Sequence, residues 1–514
     1  MLFLAGALAS VVGLARLRAR FVFESFRVEG AVPAPVERVR LKARAAYPAR
    51  FLLLHGYGAN RRHLLHLAEV LAAAGADVYV PDLPGRGDHP AALSPFPLGG
   101  PSANMPTPRE TEAALAVVCH LERRFGVRPE RLVVVGHSLG GGVALDVTRR
   151  VTPIATVSLA GLERRVEPGR PPNLLFITAR FEIPTLRRAA DRMYERARRG
   201  PGVTGRKEFF ATHASLPFHS TVQRALVDWA NRALPKVRDD AGLDLPPLFN
   251  ESLLLVELSG LFFLAALFVP LAGLAGHTLK HQPLRQALPA TRLTFWSPGP
   301  LAGYALLAGA AGVSGIYLLT WLGGPPPLSF LRLADGDYLA AVLLLATVWL
   351  VPLLKQRPAP GSGGETAARV GLALGLAVYL IAVGGGFISW QLFDLWPTPA
   401  RFVKMLLLAF LLYPYALGEE LLVRSVSRQK GGGRALVTFL LWRLGVLTGI
   451  LYGVWALGSG ESLLVVITVS LLLLSLLEYF FSTVLYRTLA NVYADALLKT
   501  LLLGWIIATI FPLR

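Results

Sequence analysis

The stretch Leu132–Gly142, LVVVGHSLGGG, decides how the first half of the chain is read. Four apolar residues run directly into Gly-His-Ser-Leu-Gly. A β-branched run without polar alternation suits a strand buried on both faces. The glycines that follow suit a sharp reversal, and GGGVALDVTRRV then continues with helical spacing. A strand–turn–helix of this kind lifts the Ser138 hydroxyl clear of a sheet. It also sets the backbone N–H of Leu139 at a helix N-terminus, where a developing oxyanion is stabilised. The stretch therefore predicts a nucleophilic serine.

Outward from that turn, apolar strands, polar turns and helices alternate. FLLLHGYG (51–58) is a short apolar run ending in His-Gly, and RRHLLHLAEVLAAAGA (61–76) has helical spacing. DVYVPDLPGRGDH (77–89) is a strand running into a Pro/Gly loop. PRETEAALAVVCHLERRFG (108–126) is helical. IATVSLAG (154–161) and NLLFITAR (173–180) are further strands, and STVQRALVDWANRAL (220–234) is an amphipathic helix. Strands alternating with helices imply an α/β layer structure around a mostly parallel sheet. Reactive residues then belong at the carboxyl ends of strands.

Over about residues 35–235 the chain resembles the α/β-hydrolase family. The elbow GHSLGG, the segment HGYGAN and the loop PDLPGRGDH carry the resemblance, in family order and at family spacing. It implies a doubly wound, mostly parallel sheet and a serine hydrolase with no metal or organic cofactor. The oxyanion donors would be the backbone N–H groups of Leu139 and Tyr57. A serine hydroxyl needs a base to take its proton and a carboxylate to orient that base, in the chain order Ser, acid, His. The acid falls on Glu182 in ARFEIP, after the strand NLLFIT, with Asp191 as the fallback inside a helical run. The base falls on His213 or His219 in KEFFATHASLPFHSTVQRAL, His213 holding the family position. His55 and His137 are shaping residues of the motifs, while His63, His66, His89 and His120 read as ordinary helix or loop positions. Only GLERRVEPGRPP separates two strands where many lipases insert a helical lid, so an open site is expected. An ester or lipid-like small molecule is the implied substrate, an ester ahead of an amide by family analogy.

Composition divides the chain. Of 514 residues 53% are hydrophobic, and the excess lies beyond about residue 250. A span needs about 20 mainly apolar residues. Candidate spans are 252–275, 299–322, 337–354, 368–390, 403–422, 435–457, 462–485 and 492–512, an all-α multi-pass membrane domain over 252–512. Residues 236–251 read as a linker. LFLAGALASVVGLA, within 1–20, is a candidate N-terminal transmembrane anchor, not preceded by the positive region usual in cleaved signal peptides.

The formal charge is +19. It reads as membrane-flanking and scattered arginine rather than a nucleic-acid motif. Lys280, Arg285, Arg292, Lys355, Arg357, Arg424, Arg428, Lys430 and Arg434 mark one set of loops as cytoplasmic. Asp335, Asp337, Asp394 and Glu461 fall in the alternate set. The hydrolase-like part is then extracytoplasmic, in a plasma (inner) membrane, with Arg16, Arg18 and Arg20 arguing the other way. The single cysteine, Cys119, excludes an intrachain disulfide.

LLYPYALGEELLVRS (411–425) is similar to the first motif of the CAAX-protease and bacteriocin-processing membrane family. That resemblance is degenerate, because no histidine follows His281. The plainer reading of Glu419, Glu420 and Arg424 is a charge cluster where a span meets the cytoplasm, with Arg424 paired to a Glu. Two functions from different classes follow. One is a membrane-anchored serine hydrolase. The other is a membrane transporter or scaffold in which the hydrolase-like part binds or senses.

Overall fold

In the computed structural model the described residues are 2–29, 33–43, 49–94, 108–234, 242–278, 302–321, 328–333, 336–355, 363–391, 395–456, 463–511 and 513. The loop charges Lys280, Arg285, Arg292, Asp335, Arg357, Asp394 and Glu461 lie outside them.

Eight strands form one sheet: β1 Phe21–Val28, β2 Ala34–Leu41, β3 Arg50–Leu54, β4 Asp77–Pro81, β5 Leu132–His137, β6 Ala155–Leu159, β7 Asn173–Phe181 and β8 Val203–Thr212. Their order is β1-β2-β4-β3-β5-β6-β7-β8. β1 and β2 form an antiparallel hairpin, and β2 meets β4 antiparallel. Every later pairing is parallel. This is the α/β-hydrolase fold. The apolar run Leu132–Val135 lies at its centre, buried on both faces between β3 and β6.

Helices cover both faces. The N-terminal helix α1 is Leu2–Arg18, followed by α2 Leu65–Ala73, α3 Pro108–Phe125, α4 Leu139–Val147, α5 Pro184–Ala197 and α6 Ser220–Ala233. α2 and α6 bury Leu67, Val70, Leu71, Leu226 and Ala230 against one face. α3 and α4 bury Val117, Val118, Leu121, Val143 and Val147 on the other, where α5 adds Met193.

Two glycines allow the turn between β5 and α4. A Cβ on Gly136 would collide with the backbone carbonyl of Gly140, and a Cβ on Gly140 with those of Leu54 and His55. Backbone cannot yield as a side chain does, so the turn closes only without side chains there.

Beyond the sheet the chain is helical: α7 Phe249–Thr278, α8 Ala302–Trp321, α9 Gly336–Ala346, α10 Val351–Lys355, α11 Gly363–Tyr379, α12 Gly386–Gln391, α13 Pro399–Lys430, α14 Gly432–Ala456, α15 Leu463–Leu489 and α16 Val492–Ile510. Among the described residues, six stretches are long and apolar enough to cross a membrane: Phe249–His277, Gly336–Lys355, Gly364–Ser389, Pro399–Ser427, Gly432–Tyr452 and Val492–Ile510. The segments expected at 299–322 and 462–485 coincide with α8 and α15. α1 runs antiparallel along α7, Gly6 abutting Phe263 and Gly13 abutting Val256. Leu2, Leu4, Leu8 and Val12 of α1 stay exposed.

Glu419, Glu420 and Arg424 lie toward the end of the apolar stretch Pro399–Ser427. α13 continues to Lys430, and all three are buried within the helical packing. The pairing of Arg424 with Glu420 does form, at 2.8 Å.

A buried joint links the two halves. His66 of α2 donates from Nδ1 to Glu257 of α7 (2.9 Å) and from Nε2 to Asn250 (2.8 Å). Both ring nitrogens face oxygens, an arrangement that favours the protonated ring. Burial opposes that charge, yet the bond to Glu257 raises the His66 pKa above its usual value. Arg18, at the end of α1, pairs with Glu69 of α2 at 2.6 Å.

Replacing Gly140 by alanine should cost on the order of 2 kcal/mol or more. The same change at Gly364, where a Cβ meets nothing within 4 Å, should be neutral or mildly stabilising. Thermal unfolding of the detergent-solubilised variants checks this. Equal melting temperatures would show that the turn tolerates a side chain.

Candidate active site

Ser138 occupies the apex of the turn with φ 56° and ψ −119°. A non-glycine residue seldom adopts a positive φ, and the strain is held by neighbours on both sides. Its N–H donates to the Leu159 carbonyl (2.8 Å), and its carbonyl accepts from Gly141 (2.9 Å) and Leu162 (3.2 Å). Leu139 opens α4, so its N–H belongs to the first helical turn, whose N–H groups have no intrahelical partner.

The loop after β3 closes against this turn. A Cβ on Gly56 would stand 3.0 Å from the Ser138 Cβ, which brings Tyr57 beside the serine. The Tyr57 side chain is buried, with the Arg86 guanidinium 4.5 Å from its ring centroid. His55 fixes the loop. Its Nδ1 donates to the Gly56 carbonyl (2.9 Å), and its Nε2 accepts from the Leu83 N–H (2.9 Å). A neutral imidazole serves both bonds, and burial holds it neutral, with a pKa lowered to about 3.

Glu182 and His213 meet across the ends of β7 and β8. Glu182 Oε2 lies 2.9 Å from His213 Nδ1, while Oε1 accepts from the Ile183 N–H (2.9 Å). Both side chains are buried. His213 is tied to the serine turn through its neighbour: His137 Nε2 donates to the His213 carbonyl (2.9 Å), and the two rings sit 5.0 Å apart.

The alternatives lie elsewhere. His219 bonds the Thr221 hydroxyl (2.8 Å) at the start of α6. Asp191, on α5, pairs with Arg206 at 2.5 Å. The structure thus gathers Ser138, Leu139, Tyr57, Glu182 and His213 at the carboxyl ends of β3, β5, β7 and β8. It leaves Asp191 and His219 in other pairings.

Sequence reasoning passed over two histidines. His63 is buried against the rings of His137 and Phe218, and His66 forms the joint described above. Nothing in the local sequence sets either apart from a surface helix position. An open site was also expected. The segment 160–172 carries no helix, yet Ser138 is only 4% exposed. The helical half contacts the loops after β3 and β4. α12 packs against the turn Arg61–Leu64. At the C-terminus, Leu513 donates to the Gly85 carbonyl (3.0 Å) and accepts from the Leu93 N–H (3.2 Å). Arg401 of α13 binds the Phe511 carbonyl (2.8 Å) and reaches Gly85 (3.4 Å). Among the described residues no group of three or more His, Cys, Asp or Glu side chains is arranged to hold a metal ion.

Residues 51–279 match the sequence profile of the alpha/beta hydrolase family. No curated protein matches the chain. Similar solved structures include an esterase/lipase from an uncultured bacterium, at 17% identity and TM-score 0.32, covering 42% of this chain and 84% of that one. An α/β serine hydrolase without a lid from Xanthomonas campestris aligns at 18% identity and TM-score 0.34, covering 42% and 96%. A Pyrococcus furiosus esterase aligns at 15% and 0.33, covering 42% and 94%.

The buried histidines make this region acid-sensitive. Burial lowers the pKa of His63 to about 4 and holds His137 well below 6.5. In the unfolded chain they titrate near 6.5, so below that pH the unfolded state takes up protons that the folded state refuses. Stability is then lost until the folded pKa is reached. At pH 4.5, two units below the unfolded pKa, each of His55 and His63 costs on the order of 2 kcal/mol. The His66 contribution has the opposite sign: it is full below 6.5 and is lost as pH rises through the raised pKa. The melting temperature should therefore fall between pH 6.5 and 4.5, and less steeply in His63→Gln. Identical slopes for variant and parent would refute the assignment.

Proposed function

We propose that the chain is a membrane-anchored serine hydrolase acting on carboxylic esters. One observation carries the reading: the buried Glu182–His213 pair, 2.9 Å long, is linked through the His137–His213 hydrogen bond to the turn that holds Ser138 at a strained positive φ.

With Nδ1–H given to Glu182, the neutral His213 ring keeps Nε2 free to accept the Ser138 proton. Ser138 Oγ attacks the ester carbonyl, and the backbone N–H groups of Leu139 and Tyr57 stabilise the tetrahedral oxyanion. The intermediate collapses as the C–O bond to the alcohol breaks, with His213 returning the proton to the leaving oxygen. Water, deprotonated by His213, then attacks the acyl-serine, and the carboxylic acid leaves with Ser138 restored. Glu182 orients the ring throughout and stabilises the imidazolium. The reaction needs no cofactor.

The substrate is an ester of lipid-like character. The packing of the helical half against the loops after β3 and β4 supports this, because an apolar ester dissolved in a bilayer would arrive at that rim. The partition is residues 1–20 as N-terminal anchor, a hydrolase domain to 235 that the β1 strand extends back from 35 to 21, a linker after 235 that ends where α7 begins at Phe249, and a multi-pass membrane domain to 512. The α1 helix is about 25 Å long, and its exposed leucines suit lipid. The hydrolase domain is extracytoplasmic, at a plasma (inner) membrane. Of the three flank charges opposing that orientation, Arg18 is paired with Glu69 within the fold, while Arg16 and Arg20 stay exposed.

Fluorophosphonate labelling of the detergent-solubilised chain tests the chemistry. Ser138→Ala and His213→Ala should abolish labelling, and Glu182→Gln should lower ester turnover by roughly 10³-fold or more. Tyr57→Phe should remain active, because only the backbone of Tyr57 is used. Labelling retained in Ser138→Ala would overturn the assignment. Protease added to intact cells should cleave the hydrolase domain, and protection until lysis would reverse the orientation.

A further inference from the structure

Four arginines line a cleft at the far end of α4 from Ser138. The cleft has a volume of about 440 Å³, and the start of α3, the end of α4 and the segment after β6 enclose it. Ser138 precedes the first turn of α4 and the cleft borders its last, roughly 15 Å further along the helix axis. α3 and α4 cover the sheet face opposite the one where Phe249 and Leu253 of α7 pack with α2 and α6. The cleft is therefore separate from both the candidate active site and the joint with the helical half.

Its charge is unbalanced. Arg149, Arg150, Arg165 and Arg170 line it together with Asp146 and Glu167, four positive charges to two negative. Neighbours do not restore the balance. Arg150 pairs with Glu112 (2.5 Å) and Asp146 with Arg164 (3.0 Å), which adds one charge of each sign. Arg149, Arg165 and Arg170 have no ion pair among the described residues. Cations are favoured at a helix C-terminus, which accounts for Arg149 and Arg150 after α4. It does not account for Arg165 and Arg170, which the segment 160–172 supplies.

The cleft has a fixed floor and a donor of its own. Leu145 and Val166 are buried in one apolar cluster with Met193. Thr148 gives its hydroxyl to the Leu145 carbonyl (2.8 Å), and the Arg170 N–H donates to the Glu167 carbonyl (3.1 Å), which closes the turn that carries both charges. Thr111 of α3 lines the cleft and is only 6% exposed, and its hydroxyl has no hydrogen-bond partner among the described residues.

Forked guanidinium groups and a hydroxyl suit an anion that presents several oxygens. An excess of two positive charges matches a phosphate monoester, which carries about −1.5 to −2 at pH 7. Inorganic phosphate would leave most of the space empty, whereas a volume of this size suits a small organic molecule. We propose that this cleft binds a soluble phosphate monoester with a compact apolar body. Arg149, Arg165 and Arg170 hold the phosphate, Thr111 donates to it, and the body lies against Leu145 and Val166. A phospholipid headgroup would offer the same phosphate chemistry, but the cleft lies on the sheet face away from α7.

Isothermal titration calorimetry of the full-length, detergent-solubilised protein with phenyl phosphate tests the site. Binding should be saturable and at least about tenfold tighter than that of the monoanion phenylsulfonate. Inorganic phosphate should compete, and added NaCl should weaken binding. Arg165→Gln and Arg170→Gln should each weaken it about tenfold. The double variant Arg165→Glu/Arg170→Glu should abolish it yet melt like the parent, since both side chains are exposed. Ser138→Ala should bind like the parent. Parent-like binding by the double variant, equal affinity for phenyl phosphate and phenylsulfonate, or no saturable binding would each overturn the proposal. Binding of dioctanoyl phosphatidic acid with none of phenyl phosphate would overturn the soluble ligand in favour of a lipid headgroup. If the double variant unfolds, the two glutamine variants and the phenylsulfonate comparison still decide it.

Discussion

Everything at the candidate site depends on one close approach of backbone to backbone. β5 must stop, reverse and become α4 within Gly136–Gly140, and the space for this exists only because those two glycines carry no Cβ. The reversal forces Ser138 to φ 56°. It also brings the loop after β3 within contact of the serine and aims the first N–H groups of α4 at the same point. The strain at Ser138 persists because Leu159, Gly141 and Leu162 hold its backbone from separate elements. Packing of the central sheet thus supplies the energy that keeps the strained turn in place.

The two halves meet through charge as well as apolar surface. His66, Glu257, Arg18 and Glu69 are buried where α1, α2 and α7 come together, and each charge has an opposite partner nearby. A mispacked joint would strand a charge out of water, at a cost of several kcal/mol. The pairing therefore fixes how the sheet sits on its helices. The same rule governs the cluster around Lys499, where Glu419 and Glu420 pair with Arg443, Arg424 and Lys499. Arg401 and Leu513 complete the contact from the far end of the chain by binding the loop after β4. The rim of the site is in this way assembled partly from helices distant in sequence.

Local patterning made much of this legible. The run Leu132–Val135 reads as a buried central strand because β-branched residues without polar alternation suit no exposed element. The glycines around Ser138 announce the turn, and 20-residue apolar windows announce the long helices. The β1–β2 hairpin was not legible. Its strands Phe21–Val28 and Ala34–Leu41 mix charged and apolar residues, and their burial comes from pairing with β4 and packing against Phe249. The burial of Glu419, Glu420 and Arg424 was not legible for a related reason. Charges after an apolar run resemble a span end, and only the arrival of Arg443, Lys499 and Glu478 from three other helices allows the helix to continue through them buried.

By itself the sequence determined the strand–turn–helix, the candidate serine, the α/β alternation and the apolar helices, because each is fixed by neighbours within a few residues. Which acid meets which histidine was decided only in three dimensions. Glu182 and Asp191 are both carboxylates after the same strand, and His213 and His219 flank the same turn. The ends of β7 and β8 bring Glu182 to His213, while α5 carries Asp191 to Arg206 and α6 carries His219 to Thr221. Sequence spacing lists the partners, but a hydrogen bond forms over about 3 Å, and only the folded chain sets distances on that scale.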